Sequence, residues 1–278
     1  MNRVDLHIHS TASDGKYAPE EIVRKAAALG LRYIALTDHD SVDGIVPAME
    51  AARAFPRLKF IPGVEISTDV PDGEVHVLGY FIDYTRKELA DTLKRFRTSR
   101  EGRGRGMVAR LGELGIDISW QRVQEIAGDG AIGRPHIAQA MLEKGYITSF
   151  KEAFDKYIGR DGPAYVEREK MTPEEAVALI IRSGGLPVLA HPFTVKEPEK
   201  RIADLQAVGL VGIEAFYKDN TEEETTRLVA LADKFGLIVT GGSDFHGIED
   251  SHEVTLGGVD VPLKAAERLI ALAGKRGN

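Results

Sequence analysis

Two histidines near the start of the chain have the residue type and spacing of a metal site. His7 and His9 lie in and just after Val4–Ile8, an apolar stretch that predicts a β-strand, and Asp14 follows shortly after them. Residues two apart on a strand project from the same face, so both imidazoles would point the same way. Because neutral imidazole is the commonest metal ligand in proteins, this segment predicts a metal site.

Further histidines and carboxylates occur within or at the ends of other apolar runs that predict strands. In chain order they are Asp38, His39, Asp40, Glu65, His76, His191, Glu214, Asp244 and His246. Most come near the C-terminal end of their strand, which is the edge where active sites assemble in barrels and open α/β folds. Charged groups at that edge would be costly to bury unless they are paired or bind metal.

Each of these residues also has a simpler explanation. Glu65 or Glu214 alone in a strand is more often a paired structural carboxylate, and Glu214 is the weaker candidate ligand. His76 alone is more often a hydrogen-bonded histidine, and Asp14 and Asp38 could cap the turns that they occupy. The combination of His-x-His, Asp-His-Asp and Asp-Phe-His at strand ends is nevertheless hard to obtain from packing alone.

The types of donor narrow the choice of metal. Imidazoles and carboxylates without thiolates favour Mn²⁺, Zn²⁺ or Fe²⁺ and suit Mg²⁺ less well. The candidates exceed what one ion needs, so Glu65 could bridge two ions in a di- or trinuclear cluster. Metal pairs about 3.5–4 Å apart are a common device of phosphoester hydrolysis. Since protonated imidazole cannot bind metal, occupancy should weaken below a pH of about 6.5.

The elements that hold these residues alternate between strands and helices. The predicted strands are Val4–Ile8, Tyr33–Leu36, Phe60–Ile66, Val75–Ile82, Leu186–Ala190, Val211–Ala215 and Leu237–Thr240. The predicted helices are Pro19–Leu29, Val46–Ala54, Pro173–Arg182, Glu222–Phe235 and Pro262–Ala273. This alternation favours an α/β fold with a mainly parallel sheet.

The stretch from about Arg86 to Glu169 breaks the alternation. It holds several helical patterns and no convincing strand before Ala164–Val166. We therefore predict a core domain formed by residues 1–85 and 170–278, with residues 86–169 as an inserted helical domain.

Composition and charge exclude several classes of protein. The chain has 278 residues, of which 43% are hydrophobic and 28% charged, as in an ordinary soluble globular protein. No apolar run approaches the about 20 residues that span a bilayer, and no secretory signal is evident. The absence of cysteine excludes thiolate chemistry and suits the cytoplasm. A net charge of −7 argues against stable DNA binding, although bound metals would still permit an anionic substrate.

The predicted insertion supplies candidate phosphate-binding residues. One helical face would carry Phe96, Arg100, Arg103, Met107, Leu111 and Leu114. Arginines on such an apolar face need an anion, and Arg binds phosphate through two hydrogen bonds. Gly102, Gly104 and Gly106 predict a break that would direct these arginines towards the site. The alternative is a solvated basic helix.

Arg134 and His136 form a second candidate phosphate site. Pro135 between them predicts the start of a helix, and a helix N-terminus favours anions. The alternative is a capping or core histidine beside a surface arginine. Lys170 is a further candidate for holding a second phosphate, whereas His252 has no matching motif and is predicted to lie in a surface loop.

The ordered motifs resemble those of the PHP superfamily, which is named after polymerase and histidinol phosphatase. They are His7-Ile8-His9 with Asp14, Thr37–Asp40, Gly63–Glu65, His76, Ala190–Pro192 and Ser243–His246, and they span almost the whole chain. The resemblance implies a distorted seven-stranded, TIM-like β/α barrel with a trinuclear metal centre and metal-dependent phosphoesterase activity. The metal ligands that it implies are His7, His9, Asp14, His39, Glu65, His76, His191, Asp244 and His246.

Within the superfamily, Gly133–Ala138 and Gly162–Val166 resemble insertion motifs of one stand-alone branch. That branch includes nucleoside 3′,5′-bisphosphate phosphatases and 5′-to-3′ exoribonucleases that act on short RNAs. We therefore expect a cytoplasmic hydrolase with three divalent ions, Mn²⁺ favoured, that hydrolyses a nucleotide phosphate ester with metal-bound hydroxide. The candidate catalytic residues are Asp244, His191 and His246, and either His191 or His246 would donate a proton to the leaving oxygen. Alternatives are a histidinol-phosphate phosphatase and a non-catalytic, metal-stabilised binding module.

Overall fold

Seven strands form one sheet whose spatial order is the order of the chain. The computed structural model describes residues 3–70, 73–128, 130, 132–167, 171–247 and 254–276. The strands are β1 (Val4–Asp5), β2 (Tyr33–Leu36), β3 (Lys59–Val70), β4 (Gly73–Tyr80), β5 (Leu186–Leu189), β6 (Gly212–Tyr217) and β7 (Ile238–Gly242). Backbone hydrogen bonds of 3.1 Å from Leu6 N to Gly241 O and 2.9 Å from His9 N to Phe245 O join the two edges. The sheet therefore curls into a nearly closed barrel, which confirms the predicted seven-stranded fold.

The sheet is mainly parallel, as predicted, but β4 runs antiparallel to both β3 and β5. Only residues 71 and 72 separate β3 from β4, which is too short a connection for the crossover that parallel strands need. The reversal places His76, in the first half of β4, opposite Ser67 near the end of β3. The carbonyl of His76 accepts a hydrogen bond from Ala190 N, beside His191. His76 therefore reaches the edge where the parallel strands end.

Ten α-helices accompany the sheet within the described residues. They are α1 (Pro19–Ala28), α2 (Ile45–Ala52), α3 (Lys87–Glu113), α4 (Trp120–Ala127), α5 (Arg134–Glu143), α6 (Phe150–Ala153), α7 (Pro173–Arg182), α8 (Pro198–Ala207), α9 (Glu222–Phe235) and α10 (Leu263–Arg276). The predicted bounds of α7 and α9 are confirmed, whereas α8 was not predicted. The Thr172 hydroxyl accepts a hydrogen bond from Glu175 N at the start of α7, and Gly236 ends α9 with a φ of 64°.

The helix α3 runs unbroken from Lys87 to Glu113, so the predicted break at its glycines is wrong. A Cβ on Gly104 would lie 2.9 Å from the Trp120 ring, and one on Gly106 would lie 3.2 Å from Val166. Glycine therefore permits close packing here. At Gly104 and Gly106, packing with these neighbours offsets the about 1 kcal/mol that each glycine costs a helix.

Two smaller predictions about this region are also wrong. Leu114 is 47% exposed because α3 ends beside it, so it does not continue the apolar face. Ala164–Val166 forms no strand, since Ala164 N bonds to Tyr157 O within a turn of the helical region.

The helices between β4 and α7 have an apolar core of their own. Met107, Leu111, Val123, Ile137 and Met141 belong to this cluster. Earlier residues of α3, including Leu89, Leu93 and Phe96, pack instead in the main barrel cluster. The helix α3 thereby connects the two cores and presents its middle residues, around Arg100, beside the barrel edge.

Within the described residues, the structure contains no helix whose length and apolar character would allow it to cross a membrane.

Candidate metal centre

The nine residues that the resemblance implies as metal ligands lie together at the edge where the parallel strands end. In three overlapping groups, one donor atom of each residue lies within 4.8 Å of the donors of the others. The groups are His7, His9, Glu65 and Asp244; His9, Asp14, His39 and His246; and His39, Glu65 and His76. His191 adjoins the third group, since its Nε2 lies 3.3 Å from Oε1 of Glu65.

Glu65 is fully buried and lies where the first and third groups meet. Its Oε1 is 2.8 Å from Nδ1 of His76 and 3.3 Å from Nε2 of His191. Its Oε2 faces three other rings at 2.9–3.3 Å, those of His7, His9 and His39. The two carboxylate oxygens thus face different groups of imidazoles, as a carboxylate that bridges two ions would.

Asp244 and Asp14 lie on either side of His9. Oδ1 of Asp244 is 3.1 Å from Nε2 of His9. Oδ1 of Asp14 is 3.4 Å from Nε2 of His246, and its Oδ2 is 4.0 Å from Nε2 of His39. Each of the three groups of candidate ligands therefore combines imidazoles with at least one carboxylate.

Several buried side-chain atoms of this cluster lie close to neighbouring candidate ligands but make no hydrogen bond of suitable geometry with the described residues. They are Nε2 of His7, both ring nitrogens of His9, Oδ1 of Asp14 and Oε2 of Glu65. A buried polar atom left unsatisfied costs about 1–3 kcal/mol, and more when it is charged. A cation would satisfy these lone pairs, so the donor set fits divalent metal ions.

The buried charges shift the pKa values of the cluster in opposite directions. Burial opposes protonation of His9, but Asp244 and Glu65 outweigh burial and raise the pKa of His9 to about 10. Burial prevails at His39 and lowers its pKa to about 4. Burial favours the neutral carboxyl of Asp14, Glu65 and Asp244, but the neighbouring histidines outweigh it and hold all three pKa values well below the usual range. At neutral pH, His39 and the carboxylates are therefore ready to bind metal, whereas His9 must first lose a proton.

Three residues at or beside candidate ligands have a left-handed backbone that residues other than glycine rarely adopt. The φ angles are 48° at Asp40, 28° at His191 and 49° at Asp244. Such conformations cost about 1–3 kcal/mol each and persist only where the surrounding structure holds them. Here the chain turns sharply beside or at a candidate ligand.

Glu214 supports the cluster from behind. Its Oε1 lies 3.0 Å from Nδ1 of His7, and its Oε2 accepts a 2.9 Å hydrogen bond from the backbone N of His191. A carboxylate on the second nitrogen of an imidazole fixes the tautomer and makes the first nitrogen a better ligand. Glu214 therefore orients His7, so that Nε2 is the nitrogen that faces the cluster.

Two further buried carboxylates hold the loops that carry ligands. Asp38 accepts hydrogen bonds of 2.7 Å from Ser10 N and from the Ser13 hydroxyl, next to Asp14. This is the turn-stabilising role that the sequence left open for Asp38. Asp5, which the sequence analysis missed, accepts a 2.9 Å hydrogen bond from Ser243 N beside Asp244. Burial raises the pKa of both carboxyls.

Tyr217 and Lys218 contact Asp244, and the sequence analysis missed both. The Tyr217 hydroxyl donates a 3.0 Å hydrogen bond to Oδ2 of Asp244, and Lys218 Nζ lies 3.1 Å from the same oxygen. They leave Oδ1 as the oxygen that faces the imidazoles. Their position at the end of the strand that carries Glu214 is the signal that would have identified them.

Arg100 has a carboxylate partner within the protein. The buried Arg100 side chain donates from Nε to Oδ2 of Asp40 at 2.7 Å and from one terminal nitrogen to the Ser67 hydroxyl at 2.6 Å. The sequence analysis predicted an anion beside Arg100, and the carboxylate of Asp40 is such an anion. This ion pair also fixes Asp40 beside His39.

Arg103 and Arg134 approach the cluster from two different helices and meet at Glu74. The shortest distance from Glu74 is 3.8 Å to Arg103 and 2.5 Å to Arg134. His136 is 7% exposed, and its Nδ1 accepts a hydrogen bond from Gly133 N, as a capping histidine would. Lys170 and His252, which the sequence also considered, lie outside the described residues.

A cleft of about 140 Å³ lies between the arginine side chains and the candidate metal ligands. Its walls include His39, His76, His246, Arg100, Arg103 and Arg134. The structure therefore brings all three predicted phosphate-binding arginines to the same cleft as the metal cluster.

Comparisons with known proteins agree with this arrangement. The sequence profile of the PHP domain family matches residues 5–100. The chain is 35% identical to the 3′,5′-nucleoside bisphosphate phosphatase of Chromobacterium violaceum, covering 88% of each chain. It is also 35% identical to the 5′-3′ exoribonuclease Rnm of Escherichia coli, covering 87% of this chain and 84% of that protein. A crystal structure from Bifidobacterium adolescentis, described as that of a metal-dependent phosphoesterase, superposes with a TM-score of 0.88 at 29% identity, covering 96% of this chain and 95% of that one.

Proposed function

Because the chain belongs to the PHP domain family and is a metal-dependent phosphoesterase, we propose that its substrate is a nucleotide. The reaction is hydrolysis of the 3′-phosphate of nucleoside 3′,5′-bisphosphates, or stepwise removal of nucleotides from the 5′ end of short RNA. The relatives named for these two activities are those that the chain resembles over most of its length. A relative in Eggerthella lenta, a phosphoribosyl 1,2-cyclic phosphate 1,2-diphosphodiesterase, matches at 30% identity.

The observation that carries the metal assignment is the position of Glu65 between two groups of imidazoles, with buried, unsatisfied polar atoms on either side. We assign three divalent ions, Mn²⁺ favoured, to three sets of ligands. One set is His7, His9, Glu65 and Asp244; the second is Glu65, His76 and His191; the third is Asp14, His39 and His246. Bound there, such ions would lower the pKa of a water nucleophile and offset the charge of the phosphoryl oxygens.

His191 and His246 are proposed as ligands rather than as proton donors. Nδ1 of His191 lies 2.9 Å from the Thr194 hydroxyl, and Nδ1 of His246 lies 2.9 Å from the carbonyl oxygen of Asp244. If Nε2 of each ring binds an ion, neither ring keeps a proton that could reach the leaving oxygen.

Substrate recognition is assigned to the helical segment, about residues 86–169, packed beside the barrel edge. Arg103 and Arg134 would hold the phosphate that does not react, since two arginines from different helices line one cleft. Arg100 would hold Asp40 and the cleft wall in place. Binding energy from the phosphate that does not react would position the phosphate ester that does.

The test is a substrate panel with the metal-loaded protein. We expect Mn²⁺-dependent phosphate release from adenosine 3′,5′-bisphosphate, nucleotide release from 5′-phosphorylated short RNA, or both, and loss of activity with a chelator. Release only from histidinol phosphate would favour the histidinol-phosphate phosphatase alternative. Inactivity of fully metal-loaded protein towards every nucleotide substrate would refute the proposal.

A further inference from the structure

A second, larger cavity adjoins the metal centre. It measures about 600 Å³ and shares Asp14 and Pro135 with the small cleft. One wall is the loop of residues 11–16 that follows β1, and the other is formed by α4, α5 and the start of α6. The volume falls within the range of pockets that hold small organic ligands.

We propose that this cavity binds the nucleobase of the substrate. The proposal rests on the proposed function and extends it, because it assigns the part of the nucleotide that the metal ions and arginines do not contact. Asp14 and Pro135 line both cavities, so the larger cavity lies next to the cleft at the metal cluster, within reach of the part of a nucleotide that extends beyond its phosphate ester.

The walls suit a flat aromatic ring better than a second phosphate. Ile126, Leu142 and Phe150 are half-buried apolar residues on the helical side. An aromatic face beside aliphatic side chains favours stacking of a base, since every base has a π face. Lys16 is the sole Lys or Arg among the lining residues that the structure describes, and its side chain lies in an exposed loop. A phosphate-binding cavity would need more positive charge, which is concentrated in the small cleft.

The larger cavity also contains a polar side chain, Gln139, that can form hydrogen bonds to the edge of a base. Gln139 lines the wall between Pro135 and Leu142. Its amide makes a long, 3.3 Å hydrogen bond to Glu143 on the exposed side of α5, and a base could replace that contact. Glutamine amides offer both a donor and an acceptor to base edges.

The experiment compares a nucleotide with a ligand that lacks the base. Binding of adenosine 5′-monophosphate and of ribose 5-phosphate to the metal-loaded protein is measured by isothermal titration calorimetry. The unmodified protein should bind the nucleotide at least tenfold more tightly. Gln139→Trp, which fills the cavity, should remove that preference. Phe150→Leu, which keeps apolar volume but removes the aromatic ring, should reduce it.

Gln121→Trp is the matched control. Gln121 is exposed on the neighbouring helix α4, and its amide bonds to Glu125 four residues on, as Gln139 bonds to Glu143. This variant should keep the preference for the nucleotide. Equal binding of both ligands by the unmodified protein, or an unchanged preference in a folded Gln139→Trp protein, would overturn the proposal.

Failure of the proposed function would give a different result. In that case the protein would prefer the ligand with the base but release no phosphate or nucleotide from any nucleotide substrate. Hydrolysis without any base-dependent binding would leave the proposed function intact and refute only the base site.

Discussion

Nδ1 of His7 and Oε1 of Glu214 lie 3.0 Å apart, and neither side chain is accessible to solvent. The contact joins β6 to the segment that follows β1, across 207 positions of sequence. The second oxygen of Glu214 holds the backbone of His191, which follows β5. A single carboxylate outside the proposed ligand set therefore orients proposed ligands that follow two different strands.

Glu214→Gln should weaken metal binding while the fold persists. The amide can still accept a hydrogen bond from His7, but it lacks the charge that makes the imidazole a stronger ligand. Loss of such a partner typically lowers metal affinity by about 10–100-fold. Competition with a chelating indicator dye measures this affinity. The control is Glu223→Gln, at an exposed position in the first turn of α9. An affinity equal to that of the unmodified protein would contradict the orienting role.

Tyr217→Phe should lower metal affinity, because it removes a hydrogen bond that holds the Asp244 side chain in place. The hydroxyl donates a 3.0 Å hydrogen bond to the Oδ2 atom that does not face the imidazoles. A hydrogen bond to a charged group contributes about 1.5–3 kcal/mol, so metal affinity should fall about tenfold or more. Metal content after dialysis against a fixed free-metal concentration checks this prediction. Tyr84→Phe, outside the cluster, should retain the metal; the prediction fails if the two variants keep equal amounts.

Metal binding should release protons at neutral pH. The pKa of His9 is raised to about 10 in the metal-free protein, so the ring is protonated at pH 7 and must lose that proton to bind an ion. Affinity should therefore increase as pH rises towards about 10, and not only above the value of about 6.5 expected for an unperturbed histidine. Calorimetry in buffers with different ionisation enthalpies measures the protons released. An observed binding enthalpy that does not depend on the buffer would contradict this prediction.

The same pKa shift contributes to the pH dependence of the stability of the metal-free fold. Because the folded pKa of His9 is raised, its protonated ring stabilises the folded state fully below a pH of about 6.5, the unfolded value, and this contribution is lost as pH rises through about 10. Chemical denaturation of chelator-treated protein at pH 7 and pH 9.5 should show lower stability at the higher pH. In the His9→Gln variant the difference between these two pH values should be smaller.

Arg134→Gln should discriminate between substrates with one and two phosphates. If Arg134 holds the phosphate that does not react, kcat/KM for adenosine 3′,5′-bisphosphate should fall about tenfold to hundredfold, since a charge-assisted hydrogen bond is lost. Adenosine 3′-monophosphate, which lacks that second phosphate, should be affected much less. Steady-state phosphate release measures both values. Arg122→Gln, at a surface pair with Glu143, is the control. An equal loss of kcat/KM for both substrates would show that Arg134 does not hold the phosphate that does not react.

Local signals were sufficient for much of the fold. The capping residues Thr172 and Glu175 and the terminal Gly236 act through contacts within a few residues, so the bounds of α7 and α9 could be predicted. The helix α8 was missed although Pro198 at its first position and the buried Ile202 and Leu205 are signals of a helix start and of an apolar face. The break expected in α3 was wrong at Gly104 and Gly106 because Trp120 and Val166, distant in sequence, pack against them.

The sequence by itself determined which side chains can bind metal. His7, His9 and most other donors follow or lie within a strand that its own apolar residues predict, and parallel strands must end at a common edge. His76 reaches that edge because β4 runs in the opposite direction. Only the tertiary structure decided which partner each charge has. Glu214 faces His7, Asp40 faces Arg100, and Asp244 faces Tyr217, because these pairs form between strands and helices far apart in the chain. A residue's type limits what it can bind, but burial beside a particular partner determines what it does bind.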